Sequence, residues 1–142
     1  MGRKRSSRAF NDGLLAERDV CPVEEFTFTY KDVELDGYVM KPAGFDPEKK
    51  YPALLTVHGG PRATFAPTFF HENQVFANAG YFVFYTNPLG SDGRGNDFAD
   101  LSGRHGSIDF EHCMAVTDEV LSGIRRSMRS AWELWAEATA DL

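Results

Sequence analysis

Tyr51-Pro52-Ala53-Leu54-Leu55-Thr56-Val57-His58-Gly59-Gly60-Pro61 is the stretch that decides the fold. Tyr51 to Val57 is almost continuously apolar, the pattern of a strand covered on both faces. It stops on His-Gly-Gly-Pro. Downstream, His71 to Ala79 carries apolar residues at helical spacing, with Val75, Phe76 and Ala79 predicted on one side, and Gly80 ends the helix. Tyr81 to Thr86 reads as a second buried strand, and Asn87 to Gly95 is too rich in glycine for regular structure. From Asp109 to Leu121, the residues Phe110, Met114, Val116, Val120 and Leu121 predict an amphipathic helix. Upstream, residues 24 to 30 and 34 to 41 alternate polar with apolar side chains and predict an antiparallel pair, with a bend or bulge at Asp36-Gly37. Strands alternating with helices predict an α/β fold: an antiparallel N-terminal pair, then parallel strands with helices.

Composition narrows the function classes. The chain has 142 residues, 42% hydrophobic and 25% charged, within the range of one globular domain. A net charge of −6 argues against a general nucleic-acid or anionic-membrane binder, because neutralising phosphate needs an excess of Lys and Arg. Neither nucleic acid nor a membrane is expected as a partner. The basic cluster Arg3, Lys4, Arg5 and Arg8 reads as a solvated terminus. No apolar run follows it, so the expected compartment is the cytoplasm. Cys21 and Cys113 have no metal-ligand or C-x-x-C spacing and are expected to be reduced and structural. His71, His105 and His112 are isolated, with no metal spacing, and are expected at the surface or in loops.

Several short segments, in order, resemble the prolyl oligopeptidase family of serine peptidases, most closely its dipeptidyl aminopeptidase and acylaminoacyl peptidase branches. They are Leu35-Asp36-Gly37-Tyr38, Lys41-Pro42-Ala43-Gly44-Phe45-Asp46, Lys50-Tyr51-Pro52, His58-Gly59-Gly60-Pro61, Gly80-Tyr81-Phe82-Val83, and Asn87-Pro88-Leu89-Gly90-Ser91 with Gly93, Gly95 and Phe98. The resemblance covers residues 23 to 121. It implies an incomplete α/β-hydrolase sheet, residues 1–22 as a poorly ordered connecting segment, and an upstream β-propeller in intact relatives. It also implies hydrolysis of peptide or acyl-peptide bonds by Ser, His and Asp, with no metal or cofactor.

Acyl transfer develops negative charge on a carbonyl oxygen, and preorganised donors must meet it there. In acylaminoacyl-type relatives the His-Gly-Gly-Pro loop supplies one such donor, so Gly60 is the first oxyanion-hole candidate and Gly59 the second. Read from the residues alone, the glycines more readily mark a tight strand-to-loop turn needing positive φ. The resemblance gives His58, Pro61, Asn87, Gly90 and Ser91 loop-shaping roles. His112 stands where relatives usually carry an acidic residue, and Leu89 where they usually carry arginine. The glycine run from Gly90 to Gly95 lacks the Gly-Lys-Ser/Thr ending of a P-loop and the Rossmann spacing.

No Gly-x-Ser-x-Gly occurs anywhere in the chain, so neither nucleophile, acid nor base is expected within it. In relatives the helix matching Asp109 to Leu121 leads through an Arg-Tyr-Pro-like turn to Gly-Gly-Ser-Tyr-Gly-Gly. Here residues 122–142 read quite differently. Shifted codons, each built from the last base of one residue and the first two of the next from Ser122/Gly123 onward, permit R-Y-P-E-I-D-A-E-R-L-G-V-M-G-G-S-Y-G-G without a break. The glycines generated after Trp132 and Trp135 are forced, because TGG must donate its final G. The expectation is a one-base frame slip near Leu121, an inactive peptidase fragment, and an unrelated tail. The alternative is a non-catalytic α/β module that pairs with a complementary fragment, or with itself, through its open sheet edge.

Overall fold

A computed structural model describes residues 13, 17–60 and 62–127, with side chains described as far as Ser122. The N-terminal basic cluster, Pro61 and the tail beyond Ser127 lie outside the described residues. Polar/apolar alternation places Val23–Tyr30 in strand β1 and Val33–Met40 in β2, paired antiparallel residue for residue from Val23↔Met40 to Tyr30↔Val33. Lys31 (φ 46°) and Asp32 (φ 66°) form the two-residue turn, both in the left-handed region that lets a tight hairpin follow the strand twist.

The bend or bulge expected at Asp36-Gly37 is absent, since Gly37 pairs with Phe26 in unbroken register. The glycine has another reason. The Phe26 ring lies across it, and a Cβ on Gly37 would fall 2.2 Å from Phe26 Cζ.

Strand β3 is Ala53–Leu55, helix α1 His71–Asn78 and strand β4 Phe82–Thr86. The sheet order is β1-β2-β4-β3, with β4 antiparallel to β2 and parallel to β3. β3 is shorter than the expected Tyr51–Val57, although Phe82 N–H to Pro52 O (2.8 Å) and Thr56 N–H to Phe84 O (3.0 Å) extend its pairing at both ends. It is also only half-buried, and Val57 is 59% exposed. The apolar run implied cover on both sides, whereas β3 is the sheet's edge and no described strand lies beyond it.

All five residues of β4 are buried, as its sequence predicts. Alternation sends Phe82 and Phe84 to one face, where they meet Phe28, Leu35, Val39, Val116 and Val120. Val83 and Tyr85 go to the other, with Tyr38, Met40, Cys21 and Ala77. Each such large side chain contributes about 1.5–3 kcal/mol by leaving water. The result is an open mixed sheet between two helical layers.

Two helix faces differ from the periodicity reading. In α1 the buried residues are Asn73, Gln74 and Ala77, while Val75 is half exposed and Ala79 is the C-cap. The cause is long-range: the Gln74 amide accepts from Cys21 N–H and donates to Cys21 O, both at 2.9 Å, and Asn78 donates to Asp19 O. The chain entering β1 is thereby pinned across α1. A one-turn helix α2, Asn96–Ala99, closes the glycine-rich segment, and helix α3 is Ile108–Ser127. In α3 the inward side is His112, Cys113, Val116 and Val120, whereas Phe110 (62% exposed) and Met114 (43%) are turned outward. The helix continues past Leu121, where the tail's residues favour helix.

Candidate functional site

β3 ends at Leu55 and hands on to Thr56, Val57 and His58, so the imidazole stands at the carboxyl end of a parallel strand. Its two nitrogens are both engaged: Nδ1 with Gly59 O at 2.9 Å and Nε2 with Ser91 Oγ at 2.9 Å. A carbonyl oxygen can only accept, so Nδ1 carries the proton in the neutral ring. Nε2 therefore accepts from the Ser91 hydroxyl. In a trans peptide the carbonyl and the next N–H point in opposite directions, so fixing Gly59 O beside His58 turns the Gly60 N–H away from the ring. Gly59 and Gly60 are exposed, and neither N–H is taken up by a described acceptor. Neither glycine has positive φ, and no neighbouring atom lies within 4 Å of where a Cβ would stand. Gly60 stands in a turn, as the residues alone allowed, but without the positive φ that would demand glycine there.

The second loop is held from all sides. Asn87 acts as a strand-like clamp, its Oδ1 accepting from Phe65 N–H (2.7 Å) and its Nδ2 donating to Phe65 O (3.0 Å). Phe65 packs edge-on against the His58 ring at 5.1 Å. Gly90 has φ 97°, and a Cβ there would fall 2.2 Å from Leu101 Cδ1, so this position does require glycine. The N–H groups of Gly90, Ser91 and Asp92 donate to Phe98, Pro88 and Ala63 carbonyls, leaving no cradle for a phosphate among those three. Arg94 lies over the Phe98 ring and pairs with Glu34 at 3.5 Å, tying the glycine-rich loop back to β2. Ser91 is fully buried, with its hydroxyl on His58 Nε2.

Between these loops and α3 lies a mostly apolar cleft of about 350 Å³, with Val57, Gly59, Gly60 and Ser91 on one side and Cys113, Phe110 and Met114 on the other. His105 is exposed at its rim, and His71 is exposed at the start of α1. His112 corrects the sequence reading: it is fully buried, and its Nδ1 accepts from Leu89 N–H at 3.0 Å. A lone histidine gives no periodic signal, and its loop partner is 23 positions away. Burial holds the His112 imidazole below the ordinary histidine range. Cys21 and Cys113 are both free and buried, and burial pushes both thiols up. Among the described residues no three His, Cys, Asp or Glu side chains converge as a metal site would need, and no helix is long and apolar enough to cross a membrane.

Comparison with known proteins agrees with this geometry. Residues 67–124 match the prolyl oligopeptidase family. The uncharacterized peptidase YuxL of Bacillus subtilis (strain 168) is 38% identical over 113 residues, covering 78% of this chain and 17% of the relative. The acylaminoacyl peptidase of Pyrococcus horikoshii superposes with a TM-score of 0.73 at 33% identity, over 83% of this chain and 19% of that one. An acylaminoacyl peptidase in complex with Z-Gly-Gly-Phe-chloromethyl ketone gives a TM-score of 0.72 at 35% identity, over 80% and 18%. The chain thus spans under a fifth of the length of these relatives. Sequence and fold together place it in the prolyl oligopeptidase family, as a stretch of that family's α/β-hydrolase domain.

Proposed function

We propose that residues 23–121 form the oxyanion-loop segment of a serine-type peptidase acting on peptide or acyl-peptide bonds. The observation that carries this reading is the His58 bridge, which pins the Gly59 carbonyl just past a strand's carboxyl end and leaves the N–H of exposed Gly60 without an acceptor among the described residues. There it can donate to a developing oxyanion, with Gly59 N–H as the second candidate. Removing one such donor from a complete site costs about 10²–10³ in kcat. His58, Asn87, Gly90 and Ser91 hold the loop, and Pro61 has the same expected role. The peptide inhibitor on the solved relative supports a peptide as substrate.

The chain itself has no serine elbow, so turnover requires a nucleophile, acid and base from outside residues 23–121. Residues 122–142 are the product of a one-base slip near the Leu121 codon. The family match ends at residue 124, three positions beyond that point. Sequencing the coding DNA across Leu121 tests the reading: the shifted frame should encode the serine elbow, and a frame without it overturns the slip.

The second reading, a non-catalytic module, is favoured by one feature. β3 leaves its outer edge unpaired among the described strands, beside exposed Val57, Phe110 and Met114. A complementary fragment or a second copy could cover that face.

A further inference from the structure

The Asn87–Ser91 loop is gripped at its centre by a residue no motif points to. His112 is fully buried on α3 and accepts the Leu89 N–H on Nδ1 at 3.0 Å. The acceptor role puts the ring's single proton on Nε2, which is itself buried and has no hydrogen-bond partner among the described residues. Flipping the ring would turn a C–H toward the Leu89 N–H, so the donor itself fixes the orientation. We propose that His112 is a positioning residue, a latch whose neutral imidazole holds Leu89 and, two residues on, the Ser91 hydroxyl against His58, and which opens when the ring gains a second proton. The consequence for the Gly60 donor rests on the peptidase reading; the latch does not.

The surroundings make the latch sensitive to that proton. A protonated ring would aim Nδ1–H at Leu89 N–H, donor against donor at hydrogen-bond distance. The Tyr30 ring on β1 stands nearly perpendicular to the imidazole with centroids 5.8 Å apart. Lys31, in the hairpin turn, adds positive charge nearby. Glu111 and Asp109 on α3 attract the proton, but Glu111 is bound to Lys31 at 2.7 Å. Asp109 is engaged by the N–H groups of Gly106 and Phe110. Leu89 cannot drift alone, because its side chain is buried and Gly90 beside it is locked at φ 97° against Leu101. Loss of the bond therefore displaces the loop as a unit, Ser91 included.

The test uses the whole ¹⁵N-labelled chain in solution. Amide exchange of Leu89, corrected for its intrinsic pH dependence, is followed by NMR from about pH 8 to about pH 5, where histidine titrates. Ring-nitrogen shifts of His112 and His58 are recorded in the same samples. Leu89 protection should fall about tenfold, as losing one hydrogen bond gives, in step with the His112 ring and accompanied by a shift of His58 Nε2. His112→Asn, which keeps an acceptor but cannot titrate, should hold protection level across the range. His112→Phe should show low protection throughout. A level wild-type profile, a step that follows His58 instead of His112, or an Asn variant that steps like wild type overturns the latch. The wild-type profile alone decides if the variants do not fold. Failure of the peptidase reading would appear in the coding sequence and leave this exchange profile untouched.

Discussion

At the scale of single residues, the site depends on a few positions where chemistry leaves little choice. Gly90 combines a left-handed backbone with a Leu101 side chain occupying the space a Cβ would need. Gly90→Ala should therefore lose about 1–3 kcal/mol, as a strained backbone position does, read as a lower urea midpoint. Gly59→Ala, in open space without positive φ, should leave that midpoint nearly unchanged. His112 gives a pH dependence of definite sign. Its folded-state titration lies below the ordinary 6.5, so the unfolded chain takes up the proton first and stability rises with pH. The stabilisation is complete above about 6.5 and is lost as pH falls from there toward the depressed folded value. Urea midpoints of wild type and His112→Asn should diverge over that interval, wild type falling faster; parallel curves would contradict the assignment.

At the scale of elements, the strands were legible and the helix faces less so. β1, β2 and β4 follow from alternation or continuous apolarity, and the two glycine-bearing loops from their composition. The face of α1 departs from its apolar period because Gln74 and Asn78 are held by Cys21 and Asp19, more than fifty positions earlier, which no local period records. Phe110 and Met114 enter the apolar period that predicts an amphipathic helix, yet they are turned outward and flank the cleft. His112 was missed for the opposite reason, a polar side chain buried by one loop amide. The Gly59, Gly60 and His58 cluster was legible only through its resemblance to a family motif; the bond from His58 to Ser91 was not. The clamp on Cys21 makes an element-scale prediction. Gln74→Ala leaves a buried N–H and C=O unpaired, at a cost of about 1–3 kcal/mol for such a group. Modification of Cys21 by a thiol reagent should speed up while that of Cys113 stays the same.

For the whole molecule, the open mixed sheet, its β3 edge unpaired among the described strands and set beside an apolar cleft, invites a test for self-association. Sedimentation of the isolated chain should show self-association rising with concentration, and Phe110→Lys with Val57→Lys should reduce it without lowering the urea midpoint. Equal association in the double variant would move the interface elsewhere. The central claim is that this chain carries an acyl-transfer site's oxyanion loop without its nucleophile. Its most direct test is fluorophosphonate labelling of two proteins side by side: the chain itself, and the product of the same coding region with one base restored after Leu121 and translation continued to the end of that frame. The account predicts no label on the chain and one labelled serine, in the restored Gly-Gly-Ser-Tyr-Gly-Gly elbow, on the second. Label on Ser91 or any other serine of the chain, or no label on the restored protein, would contradict it.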